Sequence, residues 1–169
     1  MEAFARNWLR WPSLEYYMGL PGSWALCETL HFVGLCLLIG IVGLFDLRVL
    51  GLGKGLPPAA LKRLLPWGVF GFVLCAVTGA LFVGGMGANL IGDNAYDVIV
   101  RDWWLQWKLL FILLAGVNLL AYYLTGMSRA VDALAGNGDA PVLAKFFAAM
   151  SLCLWIGVIV FGRLIPEGL

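Results

Sequence analysis

The sequence predicts an all-α protein, a bundle of four transmembrane helices preceded by an interfacial N-terminal segment. The 169 residues are 62% hydrophobic and only 12% charged, whereas soluble domains carry roughly 25% charged residues. Four apolar stretches reach the length of about 20 residues that a helix needs to cross a bilayer. We therefore divide the chain into an interfacial segment, residues 1–22, and a four-helix transmembrane domain, residues 23–169.

Charge and cysteine content exclude several other classes of protein. The formal net charge is +1, which gives no electrostatic basis for binding nucleic acid, and the lipid bilayer is the expected partner. The cysteines lie in apolar stretches without CxxC spacing, so we expect neither a disulfide framework nor a zinc knuckle. They are Cys27, Cys36, Cys75 and Cys153.

The N-terminal segment, residues 1–22, combines aromatic and basic side chains without a long apolar run. Tryptophan, tyrosine and arginine favour the headgroup region of a bilayer, so we expect this segment to lie at the membrane surface. Pro21 and Gly22 predict a turn, and Ser23 is the expected N-cap of the first span.

Breaks in the apolar pattern define the four spans. Glycine and proline end the first span over residues 51–58, and aromatic residues flank the third, as they do at membrane interfaces. The predicted spans are Ser23–Leu50, a second with Pro66 in its first turn that runs to about Gly87, Trp103 to about Tyr123, and Val142 to about Leu164. Small residues on these spans favour close helix packing and a homo-oligomer.

Four spans place both termini on the same side of the membrane. The two short links and the flanking helix ends hold six basic residues against five on the other side. The first of these links also contains the adjacent pair Lys62 and Arg63. Basic residues close together favour a cytoplasmic location of the link. We therefore expect both termini outside the cytoplasm.

The most informative polar cluster lies in the first span. Cys27, Glu28 and His31, the chain's single histidine, project from one side of a helix because they are three and four residues apart. Thiolate, carboxylate and imidazole groups bind transition metals such as copper or iron. Ionisable groups inside a membrane mark functional sites, so these three residues are the candidate metal ligands.

His31 is also the candidate haem ligand, either alone or with Met86 opposite it. One chain cannot supply a pair of histidines, although a symmetric oligomer would duplicate the set. Two other interpretations stay open. In the first, Glu28, His31 and Lys108 form a hydrogen-bonded network that fixes helix register and binds nothing; in the second, the cluster is a proton or quinone site.

Asp46 and Arg48 form a second polar group near the end of the first span. They are two residues apart and point in different directions on a helix. We expect Asp46 to reach Arg63 or Arg129 and Arg48 to extend to the interface, so that Asp46→Asn destabilises the protein more than Arg48→Gln. Lys108 is expected either to extend to its own interface or to pair with a carboxylate.

Several short motifs occur together in this chain. They are a histidine in the first span, Phe45–Gly51 (FDLRVLG), Leu65–Gly68 (LPWG), Thr78-Gly79, and Lys108 with Ala115–Asn118 (AGVN). This set resembles a family of small, uncharacterised bacterial four-helix inner-membrane proteins. It is more distantly similar to copper-resistance D-type membrane domains and cytochrome b561-type bundles. The resemblance implies the bacterial cytoplasmic membrane and a metal or haem held by histidine.

These observations give two functional hypotheses. The first is a membrane component in redox chemistry or metal handling, with a metal or haem site near the outer face at Glu28 and His31. The second is a non-catalytic accessory subunit of a larger membrane complex. Bound metal or a haem absorption band in the purified protein distinguishes the first from the second.

Overall fold

The computed structural model describes Phe4, Arg6, Asn7 and residues 9–89, 94–134 and 138–168. Within 86–89 and 167–168 it describes the backbone alone. This described part of the chain is helical and contains no strand, which confirms the predicted all-α class.

The helices alternate between long and short. Four of them, α2, α4, α6 and α8, are long and apolar enough to cross a membrane, so the protein is a multi-pass integral membrane protein. The helices are α1 (Pro12–Met18), α2 (Ser23–Leu50), α3 (Pro58–Lys62), α4 (Leu65–Asn89), α5 (Ala95–Arg101), α6 (Trp103–Leu124), α7 (Met127–Asp132) and α8 (Val142–Gly168).

Glycines bound α2 at both ends. Gly51 follows its last residue with a φ of +106°, a left-handed conformation that glycine adopts without steric cost. The prediction that Ser23 caps the helix is wrong: Gly22, with a φ of +85°, occupies the N-cap position, and no side chain caps the helix. Ser23 is instead the first helical residue.

The long helices pack in the order α4, α2, α8, α6, with α2 along α4, α2 against α8, and α6 along α8. Glycine permits the closest of these approaches. A Cβ atom on Gly71 would lie 2.6 Å from the Gly34 carbonyl oxygen and 2.8 Å from the Leu38 nitrogen. The small residue Gly71 therefore lies on the surface of α4 that contacts α2, in agreement with the predicted close packing of the spans.

The N-terminal segment packs on the end of the bundle where α2 begins, which we call the terminal end. Leu14 and Met18 of α1 occupy the space that side chains at Gly84 and Gly85 of α4 would fill. The Arg6 guanidinium forms a two-pronged ion pair with Asp97 of α5, with N–O distances of 2.7 and 3.1 Å. Such paired contacts are geometrically specific.

At the opposite end, which we call the link end, Arg48 is buried rather than extended to the interface. It is 1% exposed, its Nε donates to the Leu56 carbonyl over 2.7 Å, and its Nη2 lies 3.5 Å from the Gly138 carbonyl. The prediction that Arg48 extends to the interface is therefore wrong. The loop after α2 and the segment before α8 surround this side chain and supply carbonyl acceptors for its guanidinium.

Candidate functional site

A cavity of about 310 Å³ lies in the link half of the bundle. Its walls come from α4 and α6, and α2 and α8 close its base. Along α2 it extends from Leu38 to Val49, a distance of about 16 Å at 1.5 Å per residue. Ligand pockets in proteins typically have volumes of about 300–1,000 Å³, apolar walls and a few polar groups, and this cavity has those properties.

The cavity opens sideways between α4 and α6. Val69 of α4 and Leu119 of α6 both line it, yet they are 61% and 57% exposed on the surface of the bundle. In a membrane-spanning helix such side chains face lipid, so the entrance faces the bilayer rather than water. Gly116 of α6 also lines the cavity, and a Cβ atom there would have no neighbour within 4 Å.

The polar groups of the cavity come together where α2, α6 and α8 meet. Asp46 of α2 and Tyr122 of α6 both line it and are only 7% and 9% exposed. Ser151 of α8 also lines the cavity and interacts with the Asp46 carboxylate, and Tyr122 lies within electrostatic range of Asp46. Among the described residues, Asp46 Oδ2 and the Tyr122 hydroxyl have no hydrogen-bond partner.

Asp46 does not form the expected ion pair with Arg63 or Arg129. Both arginines are exposed, and no ion pair in the described part of the chain includes Asp46. The reason is geometric: Asp46 faces the cavity and Ser151, whereas both arginines lie on the outer surface of the link end. Buried carboxylates usually have a cationic partner, so Asp46 is unusual.

Lys62 lines the cavity near its link-end rim and has its own partners. Its ammonium lies 2.5 Å from the Asp132 carboxylate and 3.3 Å from the Ser128 hydroxyl. The contact joins α3 to α7. Asp132 and Ser128 also supply hydrogen-bond acceptors for the Lys62 ammonium at the rim of the cavity, away from Asp46.

The predicted cluster in the first span is organised around a residue of α4, Thr78. His31 Nδ1 lies 2.7 Å from Thr78 Oγ1, and the Cys27 thiol lies 3.6 Å from the Thr78 carbonyl oxygen. Glu28 is exposed and takes no part in these contacts. Cys27 and His31 thus meet at Thr78, while Glu28 lies on the outer surface of α2.

The contacts of Thr78 favour one tautomer of a neutral His31 ring, the form with its proton on Nδ1. Thr78 Oγ1 lies 2.7 Å from the Leu74 carbonyl oxygen and 3.3 Å from that of Cys75. Carbonyl oxygens only accept, and the shorter of these two contacts favours donation of the single hydroxyl hydrogen to Leu74. The hydroxyl oxygen then accepts a hydrogen bond from His31 Nδ1, which leaves Nε2 with a free lone pair.

Lys108 faces the same region from α6. Its ammonium lies 3.2 Å from the position of a Cβ atom on Gly162 of α8, so the absence of a side chain there makes room for it. It is close enough to His31 and Cys75 to interact with both electrostatically. No ion pair involving Lys108 is present in the described residues.

The described residues contain no group of three or more histidine, cysteine, aspartate or glutamate side chains that could hold a metal ion. The predicted ligands Cys27, Glu28 and His31 therefore do not form a closed metal site within one chain. The side chain of Met86, the predicted second haem ligand, lies outside the described residues.

Sequence reasoning did not identify three residues of these sites. They are Tyr122, Thr78 and Ser151, polar residues that lie within apolar spans. The sequence gives little indication of their roles, because the partners of a polar side chain in a span lie on other helices. The arrangement of those helices cannot be read from the sequence.

Comparisons of the chain with protein-family models, curated proteins and solved structures find no match. The resemblance to bacterial four-helix membrane proteins therefore remains a proposal.

Proposed function

We propose that this integral membrane protein binds a small amphiphilic molecule that enters the cavity from the bilayer. The observation that carries the proposal is the cavity itself, in which apolar walls from α4 and α6 lead to the buried polar atoms of Asp46 and Tyr122. An amphiphile would place its apolar body against the walls and its polar group beside these atoms.

Quenching of tryptophan fluorescence by a bromoalkanol tests this proposal. Trp155 of α8 lines the cavity, so a bound bromine atom would quench it by direct contact. We expect saturable quenching that decreases in Trp155→Phe. It should persist in Trp67→Phe, because Trp67 is 59% exposed and does not line the cavity.

A pair of glycine variants provides the matched control. Gly116→Phe places a ring in the open cavity, whereas Gly40→Phe places the same ring on the exposed surface of α2, where a Cβ atom also has no neighbour. We expect Gly116→Phe to abolish the saturable quenching and Gly40→Phe to retain it. Equal quenching in both variants would contradict the proposal.

A metal or haem role for His31 is the second candidate function. It is supported by the His31–Thr78 contact, because a histidine whose Nδ1–H is held by a hydrogen bond presents Nε2 for coordination. One chain supplies one histidine, so the site would be a haem with a single protein ligand or a metal shared between copies in a homo-oligomer.

Absorption spectra and metal analysis of the protein, purified gently from its native membrane, test this candidate. We expect His31→Gln to remove the cofactor, whereas Glu28→Gln should retain it because Glu28 is exposed. Loss in both variants would make Glu28 a ligand as well. A parent protein without cofactor would contradict the candidate and favour an accessory subunit of a larger complex.

We also propose that both termini lie outside the cytoplasm, in a bacterial inner membrane. The proposal is supported by the basic residues of the link end, among them Lys62 and Arg63. In a variant without native cysteines, an impermeant thiol reagent added from outside should label Val100→Cys and not Ala133→Cys. The reverse pattern would invert the orientation.

A further inference from the structure

We propose that the cavity selects organic cations, with Asp46 as the anionic anchor for a protonated amine. This inference rests on the proposed ligand-binding function and adds the charge of the ligand. It follows from the balance of charge along the cavity wall and from the kinds of side chain that surround the carboxylate.

The charge of Asp46 is not compensated by the described residues that line the cavity. Lys62 is the cation among them, and its ammonium is held at the rim by Asp132 and Ser128. Ser151 interacts with Asp46, but a hydroxyl carries no charge. Asp46 Oδ2 has no hydrogen-bond partner in the described structure.

A buried carboxylate without a cationic partner is unfavourable, because the loss of hydration is not offset. A ligand ammonium would supply both the missing positive charge and N–H donors for Oδ2. A ligand carboxylate would be repelled by Asp46, and a neutral alcohol would supply a donor without the charge. The expected order of affinity is therefore amine, alcohol, carboxylate.

The cavity wall also suits a cation. Its aromatic side chains are Phe45, Phe72, Tyr122, Tyr123, Phe147 and Trp155. Aromatic faces attract cations through the negative charge of the ring face, and more strongly where water is excluded. Trp155 lies one helical turn beyond Ser151 toward the middle of the membrane, so an amine beside Asp46 would extend its apolar chain along this ring.

Three ligands of equal chain length test the selectivity: dodecylamine, dodecanol and dodecanoate. Each is titrated against the bromoalkanol in the fluorescence assay described above, with the parent protein in detergent. A hydrogen bond to a charged group is stronger than a neutral one by about 1.4 kcal/mol, so we expect dodecylamine to bind about 10-fold more tightly than dodecanol. Dodecanoate should bind most weakly.

Asp46→Asn should reduce the affinity for dodecylamine to that for dodecanol and leave the dodecanol affinity nearly unchanged. The matched control is Asp139→Asn, which removes an exposed carboxylate at the same end of the bundle, outside the cavity. This control should retain the preference for the amine. If Asp46→Asn does not fold, the order of the three ligands in the parent protein still decides the question.

The outcomes separate the inference from the function on which it rests. One outcome is that dodecanol competes with the bromoalkanol in the parent protein and not in Gly116→Phe, while dodecylamine binds no more tightly than dodecanol. In that case the cavity binds amphiphiles and the cation inference is wrong. A preference for dodecanoate would overturn the inference as well. If none of the three ligands competes and Gly116→Phe has no effect, both the inference and the proposed function fail.

Discussion

Arg48 Nε donates a hydrogen bond of 2.7 Å to the carbonyl oxygen of Leu56, although the guanidinium belongs to a membrane-spanning helix. The bond holds the loop after α2 against the helix end. Asp46, two residues earlier, forms no ion pair with any described residue. The two charged residues therefore contribute to stability in different ways.

We predict that Arg48→Gln lowers the melting temperature in detergent more than Asp46→Asn does, the reverse of the order expected from the sequence. Arg48→Gln removes the charge-assisted hydrogen bonds of a buried guanidinium, and a hydrogen bond to a charged group contributes about 1.5–3 kcal/mol. Asp46→Asn removes a buried charge that lacks an ionic partner among the described residues, so its melting temperature should equal or exceed that of the parent. A larger loss for Asp46→Asn would show that this carboxylate has a stabilising partner.

The crossing of α2 and α4 should be sensitive to a single methyl group. Gly71→Ala places a Cβ atom 2.6 Å from the Gly34 carbonyl oxygen, so the helices must separate. Overpacking of this kind costs about 1–3 kcal/mol, and we expect a lower melting temperature. Gly40→Ala, with open space around its Cβ position, is the control and should melt like the parent. Similar melting of the two variants would mean that the helices do not approach this closely.

The tautomer of His31 is directly measurable, because the chain contains one histidine. With ¹⁵N-labelled histidine, a neutral ring should give one protonated nitrogen, Nδ1, and one unprotonated nitrogen, Nε2. Thr78→Val removes the hydroxyl acceptor and should allow the Nε2–H form to appear. If the parent ring already carries its proton on Nε2, the assignment of donor and acceptor in the Thr78 contact is wrong.

Asp139 should make stability at the link end depend on pH. The hydrogen bond from Lys145, 2.8 Å from the carboxylate, is the main cause that lowers the pKa of Asp139 below its ordinary value of 3.8, and the charge of Lys54 adds to the effect. A lowered pKa stabilises the folded protein above the ordinary value. That contribution is lost as the pH falls through the lowered value.

The melting temperatures of the parent and Asp139→Asn should therefore differ slightly at pH 7 and converge in acid, below the lowered pKa. The group is exposed, and exposed ion pairs are screened by salt, so added salt should also reduce the difference. A difference that is constant from neutral to acidic pH would mean that the ion pairs of Asp139 do not stabilise the protein.

The four spans could be predicted from the sequence because apolar length and helix-breaking residues are local properties. The first span has its predicted limits, Ser23–Leu50, since glycine and proline lie on both sides of it. Asp102 is a further local signal in the sequence, because its carboxylate accepts from the backbone nitrogens of Trp104 and Leu105 at the start of α6. Aspartate before an apolar run is a common N-cap.

The partners of the polar side chains could not be predicted, because they depend on which helices are neighbours and in what register. Nothing local distinguishes Ser151 from Arg63 as a partner of Asp46, or Thr78 from Glu28 as a partner of His31. The cavity could not be predicted for the same reason, because it also depends on how the helices are arranged. Its lining residues come from the four long helices and from the short helices α3 and α7, so no single stretch of residues indicates it.

The ion pair between Arg6 and Asp97 has a consequence for the biosynthesis of the protein. The two residues are separated by 91 positions, and ribosomes add about 5–20 residues per second, so Arg6 leaves the ribosome about 5 to 18 s before its carboxylate partner. Gly84 and Gly85, which receive the side chains of α1, are also made late. The segment around Arg6 therefore reaches its final position only after the chain through Asp97, with α2 and α4, has been made.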